Sequence, residues 1–296
     1  MSATSGSPDM RVGTWNVQYA AGRQKNERRL RRIQEMNCDV WILTETHDDL
    51  ALGTAYQAVS TTPRASGRAG ARWTTIWSRF PSIERLTVLD PHRTVAALFE
   101  SPVGLLVVYG TVLPWGTDRG PDGNAAGWTE HHRIIPMQAK EWASLQGAHP
   151  DAALCVAGDL NMNLGGAHYY GTARGRELLR AGLAGADLSC VTETEMVPHG
   201  QLSHGPIDHI CISRRLAREA KVAGAWEGTD ADGHRLSDHS GLAVDATPPP
   251  PQSARRPCFG DSRFANRESN NAVLKSRDVF VGPRCLNASV IEKGPP

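Results

Sequence analysis

No apolar run in this chain approaches the ~18–20 residues needed to cross a bilayer, so a membrane-spanning segment is not expected. Met1 to Met10 carries Ser, Gly and Pro but no apolar h-region. A secretory signal is therefore not expected, and the expected compartment is the cytoplasm. The six cysteines (Cys38, Cys155, Cys190, Cys211, Cys258, Cys285) are widely spaced and form no C-x-x-C pair. That spacing argues against a structural zinc site and, without a signal, against a disulfide framework. Cys155 and Cys211 fall inside apolar runs and read as small core residues. There is no G-x-x-x-x-G-K-[ST] phosphate loop, which excludes a P-loop nucleotidase, and there is no internal repeat.

A concentrated positive charge is lacking as well. The 32 basic and 31 acidic residues nearly balance over the 296 positions. Eight of the basic and four of the acidic residues lie beyond Ala246, which leaves 24 against 27, a net of −3, for the rest. A protein that grips long nucleic acid without sequence preference shows a basic footprint, and this core shows none in bulk. At 40% hydrophobic and 21% charged residues the composition is that of a globular protein, long enough for one large domain.

The pattern along the chain divides it into a flexible N-terminus over 1–10, a catalytic domain over 11–246 and a Pro-rich, disordered tail over 247–296, opened by Pro248-Pro249-Pro250-Pro251. Met10 to Val17 reads as a buried strand and Asn26 to Met36 as a helix with Leu30, Ile33 and Met36 on one face. Asp39 to Leu43 reads as a second strand with Glu45 just past it. Short strands follow over Thr74–Ser78, Ile83–Leu89, Thr94–Phe99 and Leu105–Tyr109. A long Gly-, Asp- and Pro-rich loop over Leu113–Trp128 comes next and suits a substrate rim. Helices are expected over Ile134–Leu145 and Arg174–Ala181, and strands over Ala152–Ala157, Ile207–Ser213 and Gly241–Asp245.

What is present is a set of polar residues delivered by strand ends. Thr14-Trp15-Asn16-Val17, Ile42-Leu43-Thr44-Glu45-Thr46 and Ala157-Gly158-Asp159-Leu160-Asn161 each follow β-prone runs, and Ile207-Asp208-His209-Ile210 and Ser237-Asp238-His239 complete the series. Spaced oxygen donors of this kind suit a hard cation, Mg²⁺ or Mn²⁺, which keeps several waters and takes phosphate oxygens as ligands. Asp159 and Asn161 alternate at one strand end and so face one pocket. A histidine beside an acid serves as a base or as a phosphate-binding cation near neutral pH.

In this order the pieces resemble the endonuclease/exonuclease/phosphatase superfamily, the deoxyribonuclease I-like phosphoesterases, over roughly Arg11 to Val244. Gly158-Asp159-Leu160-Asn161 and Ser237-Asp238-His239 are the most specific parts. The resemblance implies an α/β (α+β) fold, a four-layer sandwich of two mostly antiparallel sheets flanked by helices. It implies divalent-metal-dependent hydrolysis of phosphodiester bonds, as an endo- or exonuclease on DNA or RNA, with Asn16, Glu45 and Asp238 on the metal side. Asp208 would orient His239, Asp159 would polarise the water or assist the leaving oxygen, and Asn161 would donate to the scissile phosphate. No obligate protein partner is evident.

Two departures stand out. Gln18 replaces an acid or polar phosphate contact, and Thr111-Val112-Leu113 offers no His or Tyr where such sequences place one. His131 or His132 is the expected substitute. Two other readings stay open: a small-molecule phosphodiesterase or phosphomonoesterase, in keeping with the acidic core, and a binding module on the same fold that has lost activity. Trp73, Trp77, Trp115 and Trp128 are candidate stacking faces for a base.

Overall fold

The computed structural model describes residues 10–64 and 67–247, so the lead-in before Met10, the tail from Pro248 onward, Cys258 and Cys285 lie outside the described residues. Among the described residues, twelve strands and four α-helices succeed one another as β1 (Met10–Asn16), α1 (Arg23–Met36), β2 (Val40–His47), β3 (Gln57–Ser60), β4 (Ala71–Ser78), β5 (Ser82–Leu86), β6 (Thr94–Ser101), β7 (Gly104–Val112), α2 (Thr129–Ala148), β8 (Ala153–Asp159), α3 (Ala173–Gly185), β9 (Leu188–Cys190), β10 (Asp208–Ser213), α4 (Arg214–Ala217), β11 (Lys221–Trp226) and β12 (Gly241–Ala246). Met10 belongs to β1 and is fully buried, not part of a flexible lead-in. The loop between β7 and α2 has no regular element, as its composition predicts.

The strands form two six-stranded sheets, in the orders β11-β12-β1-β2-β4-β3 and β5-β6-β7-β8-β10-β9. Each is antiparallel except for one parallel pair, β1 with β2 and β7 with β8. The apolar runs are continuous because the central strands are covered on both faces. Between the sheets, Val12, Ile42, Ile76 and Val244 meet Val108, Cys155, Ala157 and Ile210. On the outer face of the first sheet, Trp15, Trp41, Leu43 and Trp226 pack against Ile33 of α1. On the outer face of the second, Tyr109, Leu154 and Val156 pack against Ile135 and Trp142 of α2 and Leu179 and Leu183 of α3. The result is the expected four-layer α+β sandwich, helices outside and sheets within. The four described cysteines are buried and unpaired.

Three strands escape sequence reading. β3 is a four-residue, partly exposed edge, β9 is three residues long, and β11 carries Gly224 beside an irregularity in its pairing with β12. The helices run further than their apolar stripes indicate, because polar first and last turns add nothing to periodicity.

Register gathers the polar residues at one pole. β1 and β8 occupy corresponding positions in their sheets, each with a parallel neighbour on one side and an antiparallel one on the other. They end at Asn16 and Asp159. Asp208 begins β10 directly opposite Asp159, and β12 begins just after His239. Gly158 makes the approach to β7 possible: at φ +131° a Cβ there would stand 2.1 Å from the Thr111 carbonyl oxygen. At the other pole Met10 pairs with Ala246.

Candidate active site

His239 is the centre of the arrangement. Its Nδ1 donates to Asp208 Oδ2 at 2.6 Å, and its Nε2 stands 3.9 Å from Asp159 Oδ2. Burial favours the neutral ring, but the charges of Asp208 and Asp159 and the Asp208 hydrogen bond outweigh it and lift the His239 pKa to about 10. Asp208 is 1% exposed and its second oxygen, Oδ1, is buried without a partner among the described residues.

The turn carrying His239 is anchored from several elements. Ser237 Oγ donates to the Asn16 carbonyl at 2.6 Å and accepts from the His239 amide at 3.1 Å, while Trp15 Nε1 donates to the His239 carbonyl at 3.1 Å. From α1, the buried Arg29 donates through Nε to the Leu236 carbonyl at 2.9 Å. Burial lowers the Arg29 pKa to about 10, which leaves it charged at neutral pH. Sequence reasoning passes over Arg29, since an arginine in an Arg-rich helix carries no signal of burial.

Asn16 connects the two sheets. The Gln18 amide donates to its Oδ1 at 2.9 Å, and this fixes the flip of the side chain so that Nδ2 donates to Asp159 Oδ2 at 3.1 Å. The same Nδ2 lies 3.5 Å from His239 Nε2. Gln18, Tyr19 and Ala20 all have positive φ, 47°, 62° and 42°, so the chain leaves β1 through a left-handed turn that keeps Gln18 N–H against Asn16.

Asp159 is 2% exposed, and burial raises its pKa against the opposing pull of His239. Its Oδ1 accepts from the Asn161 amide at 3.0 Å, and Asn161 Nδ2 donates to the Leu113 carbonyl at 2.9 Å, with φ +48° at Asn161.

Glu45 lies inside β2, not past its end, because the strand continues to His47. Pairing with β4 runs through Thr44–Thr74, skips Glu45 and resumes at Thr46–Arg72, and Glu45 has φ +49°. The register is the same on both sides of this gap, so Glu45 stands opposite Trp73 and the left-handed residue is a local distortion within an unshifted pairing. Burial raises its pKa, opposed by a hydrogen bond from Asn16 and the charge of His239, with Asp238 close enough to raise it further. Neither Glu45 nor Asp238 makes an ion pair among the described residues. Two neighbouring carboxylates without a salt-bridge partner, one half-buried, make a donor set that suits a hard divalent cation. The donor atoms of Asp159, Asp208 and His239 also converge within 4.8 Å. In that trio Nδ1 of His239 is taken by Asp208, and Nε2 faces Asp159.

The two candidate substitutes for the missing His or Tyr sit elsewhere. His131 is fully buried in α2, where its Nε2 faces the Leu160 carbonyl at 3.1 Å and its ring meets Trp128 edge-on at 5.2 Å. A ring without solvent-exposed atoms has none to offer a phosphate, so the expectation for His131 is corrected. His132 Nε2 is engaged with Thr172 Oγ1 at 2.7 Å, at the start of α3. The phenol that does come near is Tyr170, on the loop after β8. Its pKa is raised by burial and then by the charge of Asp159, and its ring meets Trp128 edge-on at 5.2 Å. A tyrosine in a Gly-rich loop, eleven positions beyond Asp159, carries no motif.

Burial holds His131 neutral, with its pKa lowered to about 4 from 6.5. Its folded pKa lies below the unfolded one, so the unfolded chain binds the extra proton first and stability falls as pH drops from about 6.5 towards 4. The full span corresponds to about 3 kcal/mol. Urea unfolding at pH 7 and pH 4.5 is expected to show a smaller acid-induced loss for His131→Phe than for the wild type. An equal loss in both would refute this account of the ring.

The sequence pattern of the Endonuclease/Exonuclease/phosphatase family matches residues 13–239. No protein of curated function matches the sequence at a significant level. Among solved structures, a 3'-5' exonuclease from Neisseria meningitidis aligns with a TM-score of 0.57 at 15% identity, covering 80% of this chain and 100% of its own. An AP endonuclease from Archaeoglobus fulgidus aligns at 0.56 and 14% identity, covering 79% and 98%. Truncated TDP2 of Caenorhabditis elegans aligns at 0.54 and 14% identity, covering 81% and 98%. These likenesses show the fold. The family match spans Gly13 to His239 and so takes in Asn16, Glu45, Asp159, Asp208 and His239: this chain belongs to the endonuclease/exonuclease/phosphatase family.

Proposed function

We propose that the protein hydrolyses phosphodiester bonds by attack of a water molecule, with Mg²⁺ or Mn²⁺ as its cofactor. Family membership supports the coarser part, phosphoester hydrolysis. The observation that carries the finer part is His239 held between Asp208 at 2.6 Å and Asp159 at 3.9 Å, beside the carboxylates of Glu45 and Asp238.

The pKa values divide the labour. With its pKa lifted to about 10, His239 is protonated at pH 7, so it binds a phosphate oxygen as a cation and does not serve as the base. Asp159, whose proton affinity burial increases, is the acceptor for the proton of the attacking water. Asp208 holds the imidazolium in orientation. Asn161 retains one amide N–H beyond the one given to Leu113 and aims it at the scissile phosphate. Tyr170 supplies the phenolic donor that Thr111-Val112-Leu113 lacks. Glu45 and Asp238, with Asn16 in support, would hold the cation, which when bound offsets the charge that develops on the phosphate.

The substrate class follows from charge. The −3 balance of the first 246 residues favours a short or small phosphodiester over extended nonspecific contact with duplex DNA. The proposed partner is therefore a phosphate-ester substrate, and a nucleic acid would be bound locally. The test compares hydrolysis of bis-p-nitrophenyl phosphate and nicking of plasmid DNA, each with Mg²⁺, with Mn²⁺ and with chelator. Chelator-sensitive cleavage of the diester is the expected result. Turnover that survives chelation would refute the metal assignment, and activity on monoesters alone would replace the diesterase reading with that of a phosphomonoesterase.

A further inference from the structure

Beside the carboxylate centre stands a wall of aromatic rings and guanidinium groups that the chemistry above does not use. Trp73 lies on β4 at the position opposite Glu45, between the pairs Thr44–Thr74 and Thr46–Arg72. Arg64 Cζ rests 3.8 Å from the centroid of the Trp73 ring and 4.8 Å from that of Tyr19, the 44%-exposed residue in the left-handed turn after Asn16. Trp115 extends the wall, with its ring 5.7 Å from Trp73.

Two arginines meet this wall, and their partners separate them. Arg93 lies 5.5 Å from Trp73 and 5.6 Å from Trp115, but its Nη1 is paired with the Asp118 carboxylate at 2.6 Å. The Arg64 guanidinium makes no hydrogen bond or ion pair with any described residue. Only its backbone N–H is engaged, with the Ala71 carbonyl at 3.0 Å. A guanidinium stacked on rings keeps its N–H edge free in the plane of the group, where it forms the fork that matches two oxygens of one phosphate. Stacking also restricts the side chain before any ligand arrives.

We propose that Arg64, held between Tyr19 and Trp73, is a phosphate-binding residue of the substrate site, taking two oxygens of a substrate phosphate beside Glu45. The inference rests on the phosphodiesterase reading for its substrate, and on the free, clamped guanidinium for its chemistry. The wall then acts as a support, and Arg64 adds a charged donor pair beside the carboxylates.

Two measurements separate this inference from the reading beneath it. The first is steady-state hydrolysis of bis-p-nitrophenyl phosphate by wild type, Arg64→Lys and Arg64→Ala. The second is calorimetric titration of the same proteins with inorganic phosphate in the presence of chelator. Loss of a charge-assisted donor pair is expected to raise KM and the phosphate Kd at least about tenfold in Arg64→Ala. Arg64→Lys is expected to recover only part of the loss, because an ammonium cannot form the fork. Trp73→Leu, which keeps Arg64 but removes its support, is expected to raise KM less than Arg64→Ala. Should Arg64→Ala lose its fold by circular dichroism, the Lys variant and the wild-type titration carry the test. Wild type inactive on the diester but binding phosphate through Arg64 would refute the phosphodiesterase reading and leave this assignment standing. Turnover and phosphate binding unchanged in folded Arg64 variants would overturn the assignment and leave the reading standing. Absence of both turnover and phosphate binding in the wild type would overturn both.

Discussion

His239→Ala is expected to lower kcat on bis-p-nitrophenyl phosphate by about 10³-fold, inside the ~10²–10⁴ range for a positioned proton-transfer or charge-stabilising side chain. The argument is geometric first. His239 is the only basic side chain within ion-pair distance of both Asp159 and Asp208 among the described residues, at 3.9 Å and 2.6 Å. Removing it leaves two buried carboxylates facing each other across paired positions of β8 and β10. Stripping a buried charge of its partner costs ~3–5 kcal/mol, so the variant should also unfold at a lower urea concentration. A second variant separates the two effects. His239→Ala combined with Asp208→Asn removes the stranded charge and should recover stability without recovering turnover. If the double variant regains activity along with stability, the loss in the single variant was one of folding and the catalytic role fails. A single variant that keeps more than a tenth of the wild-type kcat would also end it.

Glu45→Gln is expected to abolish metal-stimulated turnover and, without metal, to make the protein more stable. Burial raises the Glu45 pKa in the fold, so the folded state holds its proton more tightly than the unfolded chain does. The stability this contributes is present at low pH and is lost as pH rises through the folded pKa. An uncharged glutamine carries no such pH-dependent penalty and no repulsion from Asp238. Metal should reverse the order. A cation that binds only the folded state adds RT ln(1 + [L]/Kd), about 2.7 kcal/mol at a hundredfold excess over Kd, and the wild type alone should gain it. Thermal unfolding of both proteins with chelator and with Mg²⁺ reads both halves. An equal Mg²⁺-induced shift in Tm would remove Glu45 from the metal site, and a glutamine variant less stable than wild type in chelator would refute the electrostatic account. The left-handed backbone at Glu45 points the same way, since strain of ~1–3 kcal/mol at a non-Gly residue persists where function requires the position.

The architecture was legible because the central strands are long, apolar and covered on both faces, so Val40–Leu43, Leu106–Tyr109 and Ala153–Ala157 announce themselves without alternation. The polar residues that follow them were legible for the same reason: an Asn, Asp or Glu at the mouth of a buried strand has few other roles. Glu45 was placed just past its strand because β2 passes through one left-handed residue and then resumes its pairing with β4, which the apolar run ending at Leu43 does not reveal. His131 was misjudged because a histidine at a helix start looks the same in sequence whether the ring faces solvent or a carbonyl. Arg64 and Tyr170 were invisible for a further reason. They come from loops, and their positions depend on Trp73, Tyr19 and Trp128, contacts that no local spacing encodes.

The pairing of Met10 with Ala246 has a use in engineering. Seven residues of β1, at roughly 3.3 Å each, set this pair about 20 Å from Asn16. A short peptide joining the two strand ends would therefore close the domain into a ring without touching the pole that carries His239. New ends could then be opened in the irregular loop between β7 and α2. Such a circular permutant would carry a fused probe at the rim of the site instead of at the opposite pole, with both sheets keeping their strand order.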